Sequence, residues 1–237
     1  EYLLTEVAQS PYVLTTDLSR PITVANGQTT GPINVGNRRP DLKKTFALSV
    51  DGRAPAADSY FVRYVIGASP HDLPLTLDSG VYGASVMLAY NTTIVSWQFF
   101  AMMGTQEVAL SAVLGPERLT GPMTNPFTFV PGEISGHKYL DLNRDGQADG
   151  PGEGWLIKLF RDGVFYGQTT TAVDGSFTFS GLLPGSYTLE EAEQSDYIKV
   201  TPTGAFIGPF GIVSGSMVAG ADFLNQAARS ASSCTRR

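Results

Sequence analysis

The sequence predicts an all-β protein assembled from tandem β-sandwich modules. Three observations point there. The 237 residues include 26 Gly and 15 Pro among abundant Thr, Val, Phe and Tyr, a composition of strands and tight turns. Short alternating or β-branched runs recur between Gly, Pro and Asp clusters. Long uninterrupted runs of helix formers are missing. The length suits two domains of ordinary size, each able to bury a core.

Residues 1–39 read as half of a repeat. Glu1-Tyr-Leu-Leu-Thr-Glu-Val-Ala-Gln-Ser-Pro-Tyr12 aligns without gaps on Ser186-Tyr-Thr-Leu-Glu-Glu-Ala-Glu-Gln-Ser-Asp-Tyr197. The copies run on to Ile33-Asn-Val-Gly-Asn37 and Ala221-Asp-Phe-Leu-Asn225. Half a sandwich cannot bury its own core. This predicts a covering segment outside the chain, from a neighbouring subunit or an adjacent repeat. A start without an initiator Met reads as a cut or mature fragment.

Residues 40–131 predict a middle β-sandwich. Thr45–Val50, Ser59–Ile66, Val95–Met103, Thr105–Leu114 and Asn125–Val130 look like strands, separated by Asp51-Gly52, Ala54-Pro55, Asp78-Ser-Gly80 and Gly115-Pro116. The apolar stretch Val81–Met103 is interrupted by polar residues and reads as strands, not as a membrane helix. Phe46, Tyr60, Phe61, Trp97, Phe99 and Phe100 are expected in the core. The alternative is an exposed face that grips a sugar. Asn91-Thr-Thr93 is a short glycosylation pattern of low specificity.

Residues 132–226 predict a complete sandwich, and 227–237 a polar tail. Asp141, Asn143, Asp145 and Asp149 place oxygen ligands at positions one, three, five and nine of a loop. Gly146 stands where a calcium loop turns sharply, and the Gln147 carbonyl can serve position seven. The acid expected at position twelve is Gly152, with Glu153 one place late. The flanking segments are strand-like, so this is not an EF-hand. Calcium is the expected cofactor, held by Asp141, Asn143, Asp145, Gln147, Asp149 and Glu153; the alternative is a solvated Asp/Asn/Gly turn.

Strand parity gives a second constellation. Lys138 shares a face with Ile134 and Leu140, and Glu191 with Tyr187 and Leu189. Asn225 shares a face with Met217, Ala219, Ala221 and Phe223. A Lys and a Glu on apolar faces are costly unless paired.

The motifs Ile134-Ser-Gly, Asp-x-Asn-x-Asp-Gly, Glu153-Gly154 and Asp174-Gly-Ser-Phe-Thr-Phe-Ser-Gly-Leu-Leu-Pro-Gly-Ser-Tyr-Thr-Leu-Glu-Glu191 together resemble the Cna B-type, or serine-aspartate-repeat B-type, domain of microbial surface proteins. The resemblance covers 133–226, with a half-copy at 1–39. It implies a prealbumin-like, immunoglobulin-like sandwich used as a stalk or spacer; some members bind calcium. It also implies a role for the constellation. Lys138 on the first strand would attack Asn225 on the last while Glu191 shuttles protons, giving an isopeptide bond. Burial would lower the Lys pKa and raise that of the Glu. The alternative is a non-covalent Lys–Glu pair. The half-copy keeps Glu6 and Asn37 but no Lys of its own. Lys43 and Lys44 open the middle module, with Asn125 as a candidate counterpart.

A formal net charge of −6 with no basic stripe argues against nucleic acid. His71 and His137 are too far apart in sequence to suggest a metal pair. Cys234, the one cysteine, permits no intrachain disulfide and reads as an unpaired tail thiol or an intermolecular link. No phosphate loop, nucleophile elbow or zinc pattern occurs. These readings predict a non-enzymatic, extracellular structural module of a cell-surface stalk, fibre or filament, with neighbouring subunits or repeats as partners and no membrane insertion. The alternative is an adhesin whose middle module binds a glycan or host protein.

Overall fold

The computed structural model describes Ser10, residues 12–14 and residues 37–228. Most of the expected half-domain, with Glu6, and the tail with Cys234 lie outside the described residues. Strands, turns and irregular segments account for what is described, with no helix. No helix among the described residues is therefore long and apolar enough to cross a membrane.

Two compact units emerge, each drawn from separated pieces of the chain: 1–47, 62–97 and 113–126 in one; 48–61, 98–112 and 127–237 in the other. In the first unit, Ser69–Asp78 and Val81–Leu88 form a hairpin with Leu77 opposite Tyr82. Ser79 and Gly80, both at positive φ, make its turn. Thr93–Met103 pairs with the two-residue strand Glu117–Arg118, putting Ile94 opposite Glu117. The apolar stretch 81–103 is thus two strands, as its interrupted pattern predicts. Alternation along Leu42–Val50 exposes Lys43 and buries Lys44 and Phe46. Phe46 stacks on Tyr64 at 5.7 Å between ring centroids and tilts against Trp97 at 6.3 Å. Val13–Leu14 pairs with Asn37–Arg38, and Arg39 lies over the Tyr90 ring at 4.2 Å.

The second unit contains a two-sheet sandwich. One sheet runs Gly150–Pro151, Gly132–Asp141, Phe223–Ala227, Tyr197–Thr201, with Ser176–Leu182 and Met217–Val218 also on Gly132–Asp141. The other runs Val164–Thr170, Leu156–Arg161, Gly185–Glu191, Ile207–Ile212. Between them lie Ile134, Ile157, Leu159, Phe177, Phe179, Leu182, Tyr187, Leu189, Ile212, Ala221 and Phe223. Each fully buried large apolar side chain there contributes roughly 1.5–3 kcal/mol. Tyr187 fills the centre, and its hydroxyl donates to the Leu183 carbonyl at 2.8 Å. Burial pushes its pKa well up.

Two details of strand parity are corrected. Met217 and Ala219 are exposed and do not share the buried face of Asn225. Gly220, at φ +77°, separates Met217–Val218 from Phe223–Ala227, so the two strands are not one alternating run. Leu140 is half-buried while Asp141 is fully buried, because alternation breaks where the strand enters the acidic loop. Of the six aromatics expected in the core of residues 40–131, Phe46, Tyr60, Phe61, Trp97 and Phe99 are buried and Phe100 is half-buried.

Candidate functional site: two buried lysine–glutamate–asparagine clusters

In the second unit, the first and last strands of the sandwich run parallel and adjacent, with Lys138 opposite Phe223 and Leu140 opposite Asn225. Lys138 and Asn225 thus reach the same end of the core. Glu191 enters from the facing sheet, next to Leu189 on the inward side of Gly185–Glu191. All three are buried. Lys138 Nζ lies 2.8 Å from Glu191 Oε2 and 4.3 Å from the centre of the Trp155 ring. The pair is close but poorly aligned: neither of those atoms, nor Asn225 Oδ1, completes a hydrogen bond. Three buried polar groups lacking aligned partners are expensive. A covalent bond between two of them would relieve that cost.

Burial lowers the Lys138 pKa from 10.5 to about 8, with the Glu191 carboxylate opposing and Lys199 reinforcing the drop. A useful fraction of the amine is then neutral, and the neutral amine is the nucleophile. The floor of the site requires a glycine. A Cβ on Gly152 would stand 2.5 Å from Lys138 Cγ and 3.1 Å from the Trp155 ring. The buried hydroxyl of Thr171 fixes this turn, donating to the Gly152 carbonyl at 2.5 Å and accepting from the Trp155 N–H at 2.9 Å.

The first unit holds a similar cluster. Lys44 is fully buried, its Nζ 2.5 Å from Glu117 Oε2, and Asn125 Nδ2 donates to the same oxygen at 2.8 Å. The Phe46 and Trp97 rings lie 5.3 and 5.2 Å from Nζ. The structure chooses Lys44 over Lys43. It also supplies Glu117, which sequence reasoning missed. The available signal was the alternation Glu117, exposed Arg118, buried Leu119, hidden in a strand of two residues behind Gly115-Pro116.

The acidic loop folds around Asp141, whose Oδ1 accepts from the Arg144 and Asp145 N–H groups and Oδ2 from that of Gly146. Gly146 turns at φ +85°. Asp149 Oδ2 accepts from the Leu142 and Asn143 N–H groups at 2.7 and 2.9 Å. Asn143 Nδ2 donates to Asp145 and Asp149, both at 3.1 Å. The Asn143 amide nitrogen thus sits between the Asp145 and Asp149 carboxylates, while its Oδ1 accepts from the Asp145 N–H at 2.9 Å. Gln147 and Glu153 are exposed, and Glu153 takes no part in this net. Among the described residues, no three His, Cys, Asp or Glu side chains are grouped as a metal site.

No family model matches the chain. Colossin-A of Dictyostelium discoideum is 35% identical over 81 residues, 32% of this chain, and the chain spans about 1% of that protein's length. Among solved structures, a minor pilin of Streptococcus agalactiae is similar at TM-score 0.45 and 13% identity, over 81% of this chain and 100% of that one. The major pilin T-13 of Streptococcus pyogenes is similar at TM-score 0.37 and 10% identity, over 81% and 98%. A single B repeat unit of the collagen-binding surface protein of Staphylococcus aureus gives TM-score 0.28 and 14% identity, over 79% and 97%.

Proposed function

We propose that this chain is an extracellular structural module of a surface stalk or fibre, hardened by isopeptide bonds between Lys138 and Asn225 and between Lys44 and Asn125. The observation that carries the reading is the repetition of one chemistry: in each unit a fully buried Lys meets a Glu at hydrogen-bond distance beside an Asn. In each case the Lys Nζ would attack the Asn Cγ. The Glu would take a proton from Nζ and pass it to the leaving Nδ2. A C–N bond forms, a C–N bond breaks, and ammonia leaves. A bond between the first and last strands of a sandwich resists pulling along the chain, which is what a load-bearing spacer requires.

Calcium at the acidic loop belongs to the same proposal. Asn143, Asp145 and Asp149 would hold the ion, and Asp141 would shape the loop through its three N–H partners. The ion would add charge neutralisation and would stiffen the link between Gly132–Asp141 and Leu156–Arg161. Neighbouring subunits or adjacent repeats are the proposed partners.

The test is a proteolytic digest of the full chain read by tandem mass spectrometry. Branched peptides joining Lys138 to Asn225 and Lys44 to Asn125 are expected. Recovery of all four residues only in linear peptides would refute the proposal.

A further inference from the structure

A second lysine stands at the C-terminal cluster. Lys199 lies on the edge strand Tyr197–Thr201, directly opposite Asn225 in the antiparallel register. Opposed residues project to the same side of a sheet, so Lys199 covers the face on which Asn225 is buried. Its Nζ is 3.8 Å from Glu191 Oε1, while Lys138 Nζ lies 2.8 Å from the other oxygen, Oε2. One buried carboxylate is thus bracketed by two ammonium groups. The two differ in surroundings. Lys138 is fully buried, whereas the Lys199 side chain is 21% exposed and borders an open cavity of about 580 Å3 lined also by Glu191, Glu193, Tyr197 and Asn225.

We infer that Lys199 is a positioning residue for the cross-link: it keeps the Glu191 carboxylate paired while Lys138 releases its ammonium proton to solvent through the adjoining cavity and becomes the nucleophile. The inference rests on the cross-linking reading above. A lone Lys–Glu pair resists forming a free amine, because deprotonating the Lys strands a buried carboxylate. With Lys199 present the carboxylate keeps a counter-charge, and the like charge of Lys199 disfavours a second ammonium nearby. Lys199, unlike Lys138, is partly exposed and borders the open cavity. That opening also gives the released ammonia a way out past Asn225. In the step itself Glu191 accepts a proton from Lys138 Nζ as it attacks Asn225 Cγ, then returns it to the departing Nδ2. Lys199 gains and loses nothing.

The remaining charged groups do not compete. Glu190 is turned to Lys158 at 3.4 Å, Glu193 is exposed at the cavity rim, and Tyr197 packs edge-on against Trp155 at 5.3 Å. The shift of Lys138 has the sign the inference needs, since Lys199 contributes to lowering it.

The test uses the full chain, translated in vitro, held in denaturant and diluted to fold across about pH 6 to 9, a range that brackets the lowered Lys138 value. The fraction of Asn225 in the branched peptide is followed with time, and far-ultraviolet circular dichroism reports folding. Lys199→Met, with Lys199→Gln as a second neutral variant, should link about tenfold more slowly at neutral pH, with a rate profile displaced upward by about one unit. Lys199→Arg, which keeps the charge, should restore the wild-type profile. A folded Lys199→Met or Lys199→Gln with unchanged rate and profile overturns the inference and leaves the cross-link standing. So does Lys199→Arg behaving like the neutral variants, which would make the role one of packing. A wild-type chain without the branched peptide overturns the cross-link, and this inference with it.

Discussion

Lys138 and Glu191 face each other at 2.8 Å from opposite sheets of one sandwich, both fully shielded from water. Neither would be placed there for stability alone. Burying such a pair gains little over apolar packing, while breaking it leaves an isolated buried charge. The arrangement makes sense if the pair does chemistry, and the following outcomes are expected.

Glu191→Ala should block the bond to Asn225 and leave Lys138 buried without its partner, at a cost of about 3–5 kcal/mol beyond that of the lost bond. The double change Lys138→Met with Glu191→Leu also abolishes the bond but keeps the site apolar. Thermal unfolding should therefore rank wild type first, the double variant second and Glu191→Ala last. The reverse order of the two variants would contradict the burial argument.

Lys138 carries a pH signature. Its folded pKa, about 8, lies below the unfolded 10.5. In an unlinked chain such as Asn225→Ala, the unfolded state binds this proton more tightly than the folded state between those values. Stability should then rise with pH from about 8 to 10.5, by roughly 3 kcal/mol from this group, and be flat below. The linked wild type has an amide there and does not titrate. The gap in melting temperature between wild type and Asn225→Ala should narrow as pH rises through that window. A constant gap would show that Lys138 is not desolvated.

Gly152→Ala puts a methyl group against Lys138 Cγ and the Trp155 ring. Overpacking of this kind costs about 1–3 kcal/mol, and here it should also slow linking by displacing Nζ. Gly150→Ala, where a Cβ meets nothing within 4 Å, is the control. Equal stability and equal linking in the two variants would show that the floor of the site yields freely.

Calcium binding to the native loop should stabilise the full chain by mass action, about 2.7 kcal/mol at a free ion concentration a hundred times the dissociation constant. A chelator should lower the melting temperature of wild type but leave Asp145→Ala unmoved. Identical curves with and without chelator in the wild type would rule the ion out.

Much of this was legible in the chain because strands alternate. Period-two reasoning put Lys138, Glu191 and Asn225 on apolar faces, and each is buried. It failed where the period is interrupted. Alternation carries Met217 and Ala219 onto the buried face of Asn225 only if it runs through Gly220, whose positive φ breaks the strand. Glu117 was invisible because two residues show no period. Lys199 was hidden for another reason. On its edge strand Ile198 is 51% exposed and Lys199 is the one turned inward, the reverse of what hydropathy suggests. Register against Asn225 decides the direction, and register comes from the partner strand. The hydrogen bonding of Asn143 to Asp145 and Asp149 follows from spacing on a single loop. The exposure of Glu153 does not, because it depends on how the turn leaves the loop.

The most direct measurement is the intact mass of the full chain under denaturing conditions. Each bond releases one ammonia, so two bonds should place the chain about 34 Da below the mass calculated from its sequence, and Glu191→Ala should recover about 17 Da of that. A wild-type mass equal to the calculated one would contradict the account.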